Sequence, residues 1–340
     1  MTCSLEACTT PRLYRAVGRY RLGVDHILDV DLLAFEQGDR RQRAAVVDGV
    51  MRSLETGFVY TRHDIAEEVI DQAYASLADF FTRSDEVKRR WKVPGSHGQT
   101  GYTELLVETA ATADVPDWKE MLNWGEAVPE QHPLRHRYPH RYHPPVLPED
   151  DVPGITNVLM TFHRRLVDVQ RRFLRIIAIG LGCHEEYFDL LLRDGPTLTR
   201  AIRYPPMEAA PGGPHVWAAA HAHNNLITAL PRATARGLQV RVEDGWVDAV
   251  APPGMAIINT GLMLEHITNG TIPSGIHRVV SDPGRTGERY SVVQFAHPTP
   301  WTVLAPLASC ITEEHPQRFA PIEAGAKLDQ VLYEINLIEG

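Results

Sequence analysis

Apolar positions along this chain recur with a helical period in the first half and with a period of two in the second. Residues Arg41–Leu54 place Ala45, Val46, Val50 and Leu54 along one side of a predicted helix, and Asp64–Thr82 does the same with Ile65, Val69, Ala73, Leu77 and Phe80. Short strand-like runs occur around Ile27–Leu33 and at Gly57–Tyr60. Residues Pro129–Pro153, rich in proline, histidine and arginine, read as a long loop or lid. Asp151 and Pro153 then open a predicted helix to about Gly180, with Ile155, Val158, Leu159, Phe162, Leu166 and Phe173 on one side. From Leu198 onward, short β segments alternate with turn residues: Arg200–Tyr204, Ala218–His223, Leu238–Val242, Trp246–Val250, Met255–Asn259, His277–Val280 and Arg289–Phe295. Asp244-Gly245 is a hairpin signal, and a final helix is expected over Ala324–Ile338. The pattern predicts a mostly β fold with a helical layer, either barrel or sandwich. The expected division is a helical and mixed region 1–150, then a helix, β core and C-terminal helix over 151–340, all in one compact unit.

Composition narrows the function. Of 340 residues, 44% are hydrophobic and 23% charged, as in a globular chain with a sizeable core. The net charge of −9 and the absence of a Lys/Arg-rich run argue against nucleic-acid binding. No apolar run approaches the ~18 residues of a membrane span, and the opening MTCSLEACTT lacks a secretory pattern. Cys3, Cys8, Cys183 and Cys310 form no C-x-x-C pair; Cys183 and Cys310 read as small buried residues. A cytoplasmic monomer or homodimer acting on a small molecule is the expectation.

The chemistry concentrates at His221-Ala222-His223. Residues two apart on a strand point to one face, so both imidazoles can reach a single metal ion. His277 begins a later β segment and completes a triad if the two strands are neighbours. Arg289 and Ser291 form a second pair two apart, and a guanidinium fork beside a hydroxyl suits a carboxylate. His132, His136, His140 and His143 approach helical spacing, but Pro133 and Pro139 interrupt it; a solvated loop is the reading, with a second metal site as the alternative.

These residues resemble the isopenicillin N synthase-like iron(II)/2-oxoglutarate dioxygenases, in particular the bacterial members. The family's H-x-D-x-N-L-I-T-L-L corresponds to His221-Ala-His-Asn-Asn-Leu-Ile-Thr-Ala-Leu230. Gly237-Leu-Gln-Val240, Asp244-Gly-Trp246, Thr268-Asn-Gly270, Ser274-Gly-Ile-His-Arg-Val279 and Arg289-Tyr-Ser291 match as well. So do Glu55-Thr-Gly-Phe58, Gly101-Tyr102, Asp117-Trp-Lys-Glu120 and Tyr204-Pro-Pro206, extending the resemblance from about residue 22 to the final helix. The resemblance implies a double-stranded β-helix, or jelly-roll, flanked by N-terminal helices. It implies Fe(II) on His221 and His277, 2-oxoglutarate gripped by Arg289 and Ser291 with Tyr204 close by, and O₂ as oxidant for hydroxylation, desaturation or ring formation, in the setting of specialised metabolism. Trp217, Tyr102 and Trp118 are the candidates for substrate contact.

The sequence departs from that pattern at position 223, where histidine replaces the metal-binding aspartate, giving a three-histidine site. Imidazole fills the space that the family's halogenases open for halide, which disfavours halogenation. Leu262 follows Gly261 where aspartate is usual, and Trp217 stands where bacterial members often carry arginine. A cupin would need a glutamate about four residues after the second histidine, and Asn224-Asn225-Leu226-Ile227 follow instead. Two other readings stay open at this point: a three-histidine zinc site, which would leave Arg289 and Ser291 without a role, and a catalytically silent metal- or ligand-binding descendant.

Overall fold

The period-two segments assemble into two opposed sheets in the computed structural model, which describes residues 27–110, 113–213, 215–243, 245–281 and 287–334. In chain order the strands are β1 (Asp29–Asp31), β2 (Phe58–Arg62), β3 (Gly101–Thr103), β4 (Glu120–Gly125), β5 (Leu198–Tyr204) and β6 (Ala218–His221). They continue with β7 (Ile227–Leu230), β8 (Leu238–Val242), β9 (Gly245–Asp248), β10 (Met255–Thr260), β11 (His277–Val279) and β12 (Arg289–Ala296), followed by a separate two-stranded pair, β13 (Val303–Leu304) and β14 (Ile322–Glu323). The large sheet has the order β1-β2-β10-β7-β12-β5-β4-β3, and the small one β6-β11-β8-β9. From β5 to β12 the chain passes back and forth between the sheets, which winds it into a jelly-roll. Strands from the first 150 residues thus share the large sheet with strands from the rest.

Alternation divides each central strand between two environments. On β12, Val292 and Ala296 belong to the core beneath the helices, whereas Val293 belongs to the core between the sheets. On β5, Ala201 faces the helices and Ile202 and Tyr204 face inward. The covering layer is the helix Ile155–Gly180 with Arg40–Ser53 and Glu67–Phe81 against it. Phe162 and Phe173 are fully buried there, as packing residues.

Several expectations are corrected. The long helix begins at Ile155, where the Glu149 carboxylate accepts from the Gly154 and Thr156 amides at 2.6 and 2.9 Å. A carboxylate there meets the unsatisfied amides and positive end of the helix. Asp151 instead accepts from Trp91 Nε1 at 2.6 Å and pairs with Arg90. The segment 129–153 is largely irregular, as a loop, but it holds the short helix Pro133–Arg137, buries Leu134, Tyr142 and Leu147, and ties Arg141 to Asp329. Strand β4 escaped notice because it is buried on both faces, with Glu120 and Asn123 among its buried residues, so no alternation shows. The hairpin at Asp244-Gly245 is present as the β8–β9 pair, with Val242 opposite Gly245; Asp244 lies outside the described residues. The final helix is described over Ala324–Glu334, and the rest of its expected length lies outside the described residues. No described helix is long and apolar enough to cross a membrane.

A buried polar knot joins the layers: His163 Nδ1 lies 2.7 Å from Thr199 Oγ1, and Gln294 Nε2 donates to the His163 carbonyl at 2.9 Å. Burial lowers the His163 pKa to about 4 and that of buried His297 to about 3. The unfolded chain takes up these protons near 6.5, before the folded one does, so stability is complete above about pH 6.5 and falls as pH drops below it. Each group contributes a slope of up to about 1.4 kcal/mol per pH unit in that window. Thermal denaturation of the apoprotein should show the melting temperature falling from about pH 6.5 to about pH 5; a level profile there contradicts this.

Candidate functional site

The small sheet brings two of the histidines together through its register. His277 opens β11 directly opposite His221 at the end of β6, and His223 follows two residues on. Ring centroids lie 4.4 Å from His277 to each of the other two, and 5.4 Å between His221 and His223. One nitrogen from each ring falls within 4.8 Å of the others. Among the described residues this is the one such gathering of His, Cys, Asp and Glu, so the histidines at 132, 136, 140 and 143 do not form a second centre.

Phe58 meets His277 edge-on at 5.9 Å and Phe295 meets His223 edge-on at 5.0 Å, walling the rings on the apolar side. Burial lowers the His221 pKa to about 4, with Lys119 nearby adding to the effect. His277 is lowered to about 3 by burial and then by His221, and His223 falls well below the usual value by burial and then by His277. All three are neutral at physiological pH, with ring lone pairs available to a cation. The donor set therefore fits a divalent metal that accepts imidazole nitrogen.

In the same cavity, Arg289 stands opposite Tyr204 in the β12–β5 register. Its guanidinium lies 5.0 Å over the Tyr204 ring, Nη1 donates to Ser291 Oγ at 3.0 Å, and Nε donates to the Ala235 carbonyl at 3.1 Å. Arg289 is only 1% exposed, so a cation held there suits an anion that enters the barrel.

Residues 27–150 match the family described as non-haem dioxygenase in morphine synthesis, N-terminal, and residues 196–298 match the 2OG-Fe(II) oxygenase superfamily. A crystal structure from Caulobacter crescentus, assigned to the 2OG-Fe(II) oxygenase family, is 31% identical with a TM-score of 0.80, covering 91% of this chain and 99% of that one. The chain belongs to the 2OG-Fe(II) oxygenase family. The oxygenase is also similar to a full-length Neurospora crassa protein solved in complex with alpha-KG, at 26% identity and TM-score 0.77, over 90% of this chain and 95% of that chain. Azadirone synthase LFS from Melia azedarach is 28% identical over 80% of this chain and 83% of its own length. The oxygenase is thus an Fe(II)- and 2-oxoglutarate-dependent oxidoreductase with a jelly-roll core.

The histidines and Arg289, Ser291 and Tyr204 line one cavity of about 320 Å³. Near His221 its wall is polar, in residues that the sequence alone did not single out. Lys119 Nζ contacts Asp117 at 2.8 Å and Glu108 at 3.1 Å, and Arg200 Nη1 contacts the other Glu108 oxygen at 3.1 Å. These two cations hold the Glu108 carboxyl down at about 2 against the upward pull of its burial. Arg200 also donates to Asn123 Oδ1 at 2.7 Å and to the Gly98 carbonyl at 3.2 Å, so the wall is a fixed network rather than a set of mobile side chains. Leu262, the departure beside Gly261, lines the cavity too.

Trp217, Tyr102 and Trp118 are a different matter. None of them lines the cavity in the structure. Trp217 is fully buried, donating to the Pro205 carbonyl at 2.9 Å and packing 5.7 Å from the Tyr204 ring. Trp118 donates to the Pro206 carbonyl at 3.2 Å, and the Tyr102 hydroxyl bonds the buried Glu120 carboxylate. Both indoles therefore brace the Tyr204-Pro205-Pro206 turn from outside the cavity. For part of the lining a signal existed, though among the polar wall residues it reaches only Arg200: continuing the alternation of Arg289 and Ser291 gives Val293, Phe295 and His297, and stepping back from Tyr204 gives Ile202, Arg200 and Leu198. All six line the cavity.

Proposed function

We propose that His221, His223 and His277 hold Fe(II), and that Arg289 and Ser291 grip the distal carboxylate of 2-oxoglutarate beside Tyr204. A small molecule in the cavity above then undergoes hydroxylation, desaturation or ring formation. The observation that carries this reading is one cavity lined both by three neutral imidazoles within 4.8 Å of one another and by a buried arginine–serine pair. Iron, when bound, supplies O₂ activation coupled to decarboxylation of the keto acid.

The chain's own residues supply the rest. Ala219 and Gly275 carbonyls accept from the Nδ1 of His221 and His277 at 2.8 and 3.0 Å, orienting both rings. Arg289 and Ser291 fix one end of the co-substrate, which leaves its other end to reach the histidines. Phe58 and Phe295 keep water from two sides of the site. The Glu108–Lys119–Arg200 wall presents both acceptors and donors to the substrate's polar groups. Three neutral imidazoles leave the iron–oxoglutarate complex formally neutral, one unit more positive than with aspartate. A net charge of −9 favours a small molecule over nucleic acid, and we extend the proposal to a cytoplasmic monomer or homodimer.

Anaerobic protein loaded with Fe(II) should bind one equivalent of 2-oxoglutarate and, on admission of O₂, release succinate and CO₂, faster when a substrate from a metabolite panel is present. Binding of 2-oxoglutarate that does not depend on a divalent metal, or exposure to O₂ that yields no succinate, counts against the assignment.

A further inference from the structure

The three imidazoles differ in what meets their second nitrogen. A carbonyl only accepts, so His221 and His277, facing the Ala219 and Gly275 carbonyls, carry hydrogen on Nδ1 and leave Nε2 bare for a metal. His223 Nδ1 faces a hydroxyl instead, Thr228 Oγ1 at 2.7 Å. A hydroxyl can donate as well as accept. If it donated, hydrogen would sit on Nε2 and the third imidazole would offer no lone pair where the other two converge. Both forms are neutral, so the issue is proton placement rather than charge.

The surroundings of Thr228 bear on the choice. Asn225 Nδ2 donates to the Ile227 carbonyl, which fixes which end of that amide is nitrogen. Asn225 Oδ1 is then an acceptor, 3.3 Å from Thr228 Oγ1, and it takes the hydroxyl hydrogen. Nδ2 of the same amide, 3.2 Å from Oγ1, adds a donor to the hydroxyl oxygen without opposing this direction. With its hydrogen on Asn225 Oδ1, Thr228 Oγ1 turns a lone pair towards His223 Nδ1, 2.7 Å away, and receives an N–H there. Asn259 Nδ2 lies 3.2 Å from the same His223 nitrogen, and an N–H on that nitrogen requires this amide to be turned by a half-turn so that Oδ1 faces it. Thr228 and Asn225 are fully buried, so water does not scramble the sequence of donors.

We propose that Thr228, set in its direction by Asn225, is the positioning residue that fixes His223 as the Nδ1–H form and so makes its Nε2 a metal ligand. This rests on His223 being a ligand. The test uses Co(II) titrations of the anaerobic full-length protein, read by visible absorption, on wild type, Thr228→Val and Thr228→Ser, and on Thr228→Val combined with His223→Ala. Thr228→Val should weaken Co(II) binding about tenfold, Thr228→Ser should restore it, and Thr228→Val should cost nothing further once His223 is alanine. Imidazole ¹⁵N spectra of the apoprotein should place the His223 hydrogen on Nδ1 in wild type. Wild-type affinity in Thr228→Val, an equal loss in the His223→Ala background, or hydrogen on Nε2 in the wild-type spectrum each overturns the proposal. If His223→Ala alone binds Co(II) as wild type does, the three-histidine reading itself fails, and that outcome is separate from the others.

Discussion

His223→Asp is expected to leave about one equivalent of metal bound while turnover falls on the order of 100-fold. The exchange restores the donor type usual in the family, yet the surroundings at 223 are arranged for a ring. Thr228 Oγ1 and the Asn259 amide meet Nδ1 at 2.7 and 3.2 Å, and Phe295 packs edge-on against the imidazole at 5.0 Å. A shorter carboxylate leaves space beside Phe295 and attracts the Thr228 hydroxyl hydrogen to itself. It also makes the iron–oxoglutarate complex one unit more negative. Leu262, whose amide donates to the His223 carbonyl at 2.8 Å, lines the same cavity and offers a new carboxylate no polar side chain. Metal analysis beside succinate and product assays on both proteins checks this. Unaltered turnover with the same product would show the third histidine to be incidental.

Arg289→Gln should raise the apparent KM for 2-oxoglutarate by roughly 10²-fold, since loss of one partner from a buried charge pair costs about 3 kcal/mol and each 1.4 kcal/mol is a factor of ten. Gln is neutral and too short to reach both Ser291 Oγ and an incoming carboxylate from β12. Arg289→Lys restores the charge without the fork and should fall between the two. Steady-state succinate formation across 2-oxoglutarate concentrations reads the effect directly. An unchanged KM would remove Arg289 from the co-substrate site.

The local rules were readable where one face of an element is wet or one residue carries the chemistry. The helices Arg40–Ser53 and Glu67–Phe81 lie within a few residues of their predicted bounds because their apolar positions keep a helical period. The H-x-H spacing singled out His221 and His223, although β6 ends at His221 and His223 joins the cluster from just beyond the strand, whereas the R-x-S spacing did put Arg289 and Ser291 on one face of β12. Strands β4 and β7 gave no such signal, since both faces are covered and buried polar residues such as Glu120 and Thr228 find their partners inside the protein.

By itself, then, the sequence determined the element types, the family resemblance and the donor atoms, because these depend on periodicity and residue chemistry along a few consecutive positions. Tertiary structure alone decided that His277 pairs with His221 across β11 and β6, and that Trp217, Trp118 and Tyr102 brace the barrel rather than line it. It also joined Glu108, Lys119 and Arg200, which are separated by up to 92 positions, into one wall. Each of these depends on which strands become neighbours and on the hydrogen-bond partners a side chain finds across the sheets. Such long-range choices leave no trace in the spacing of residues along the chain.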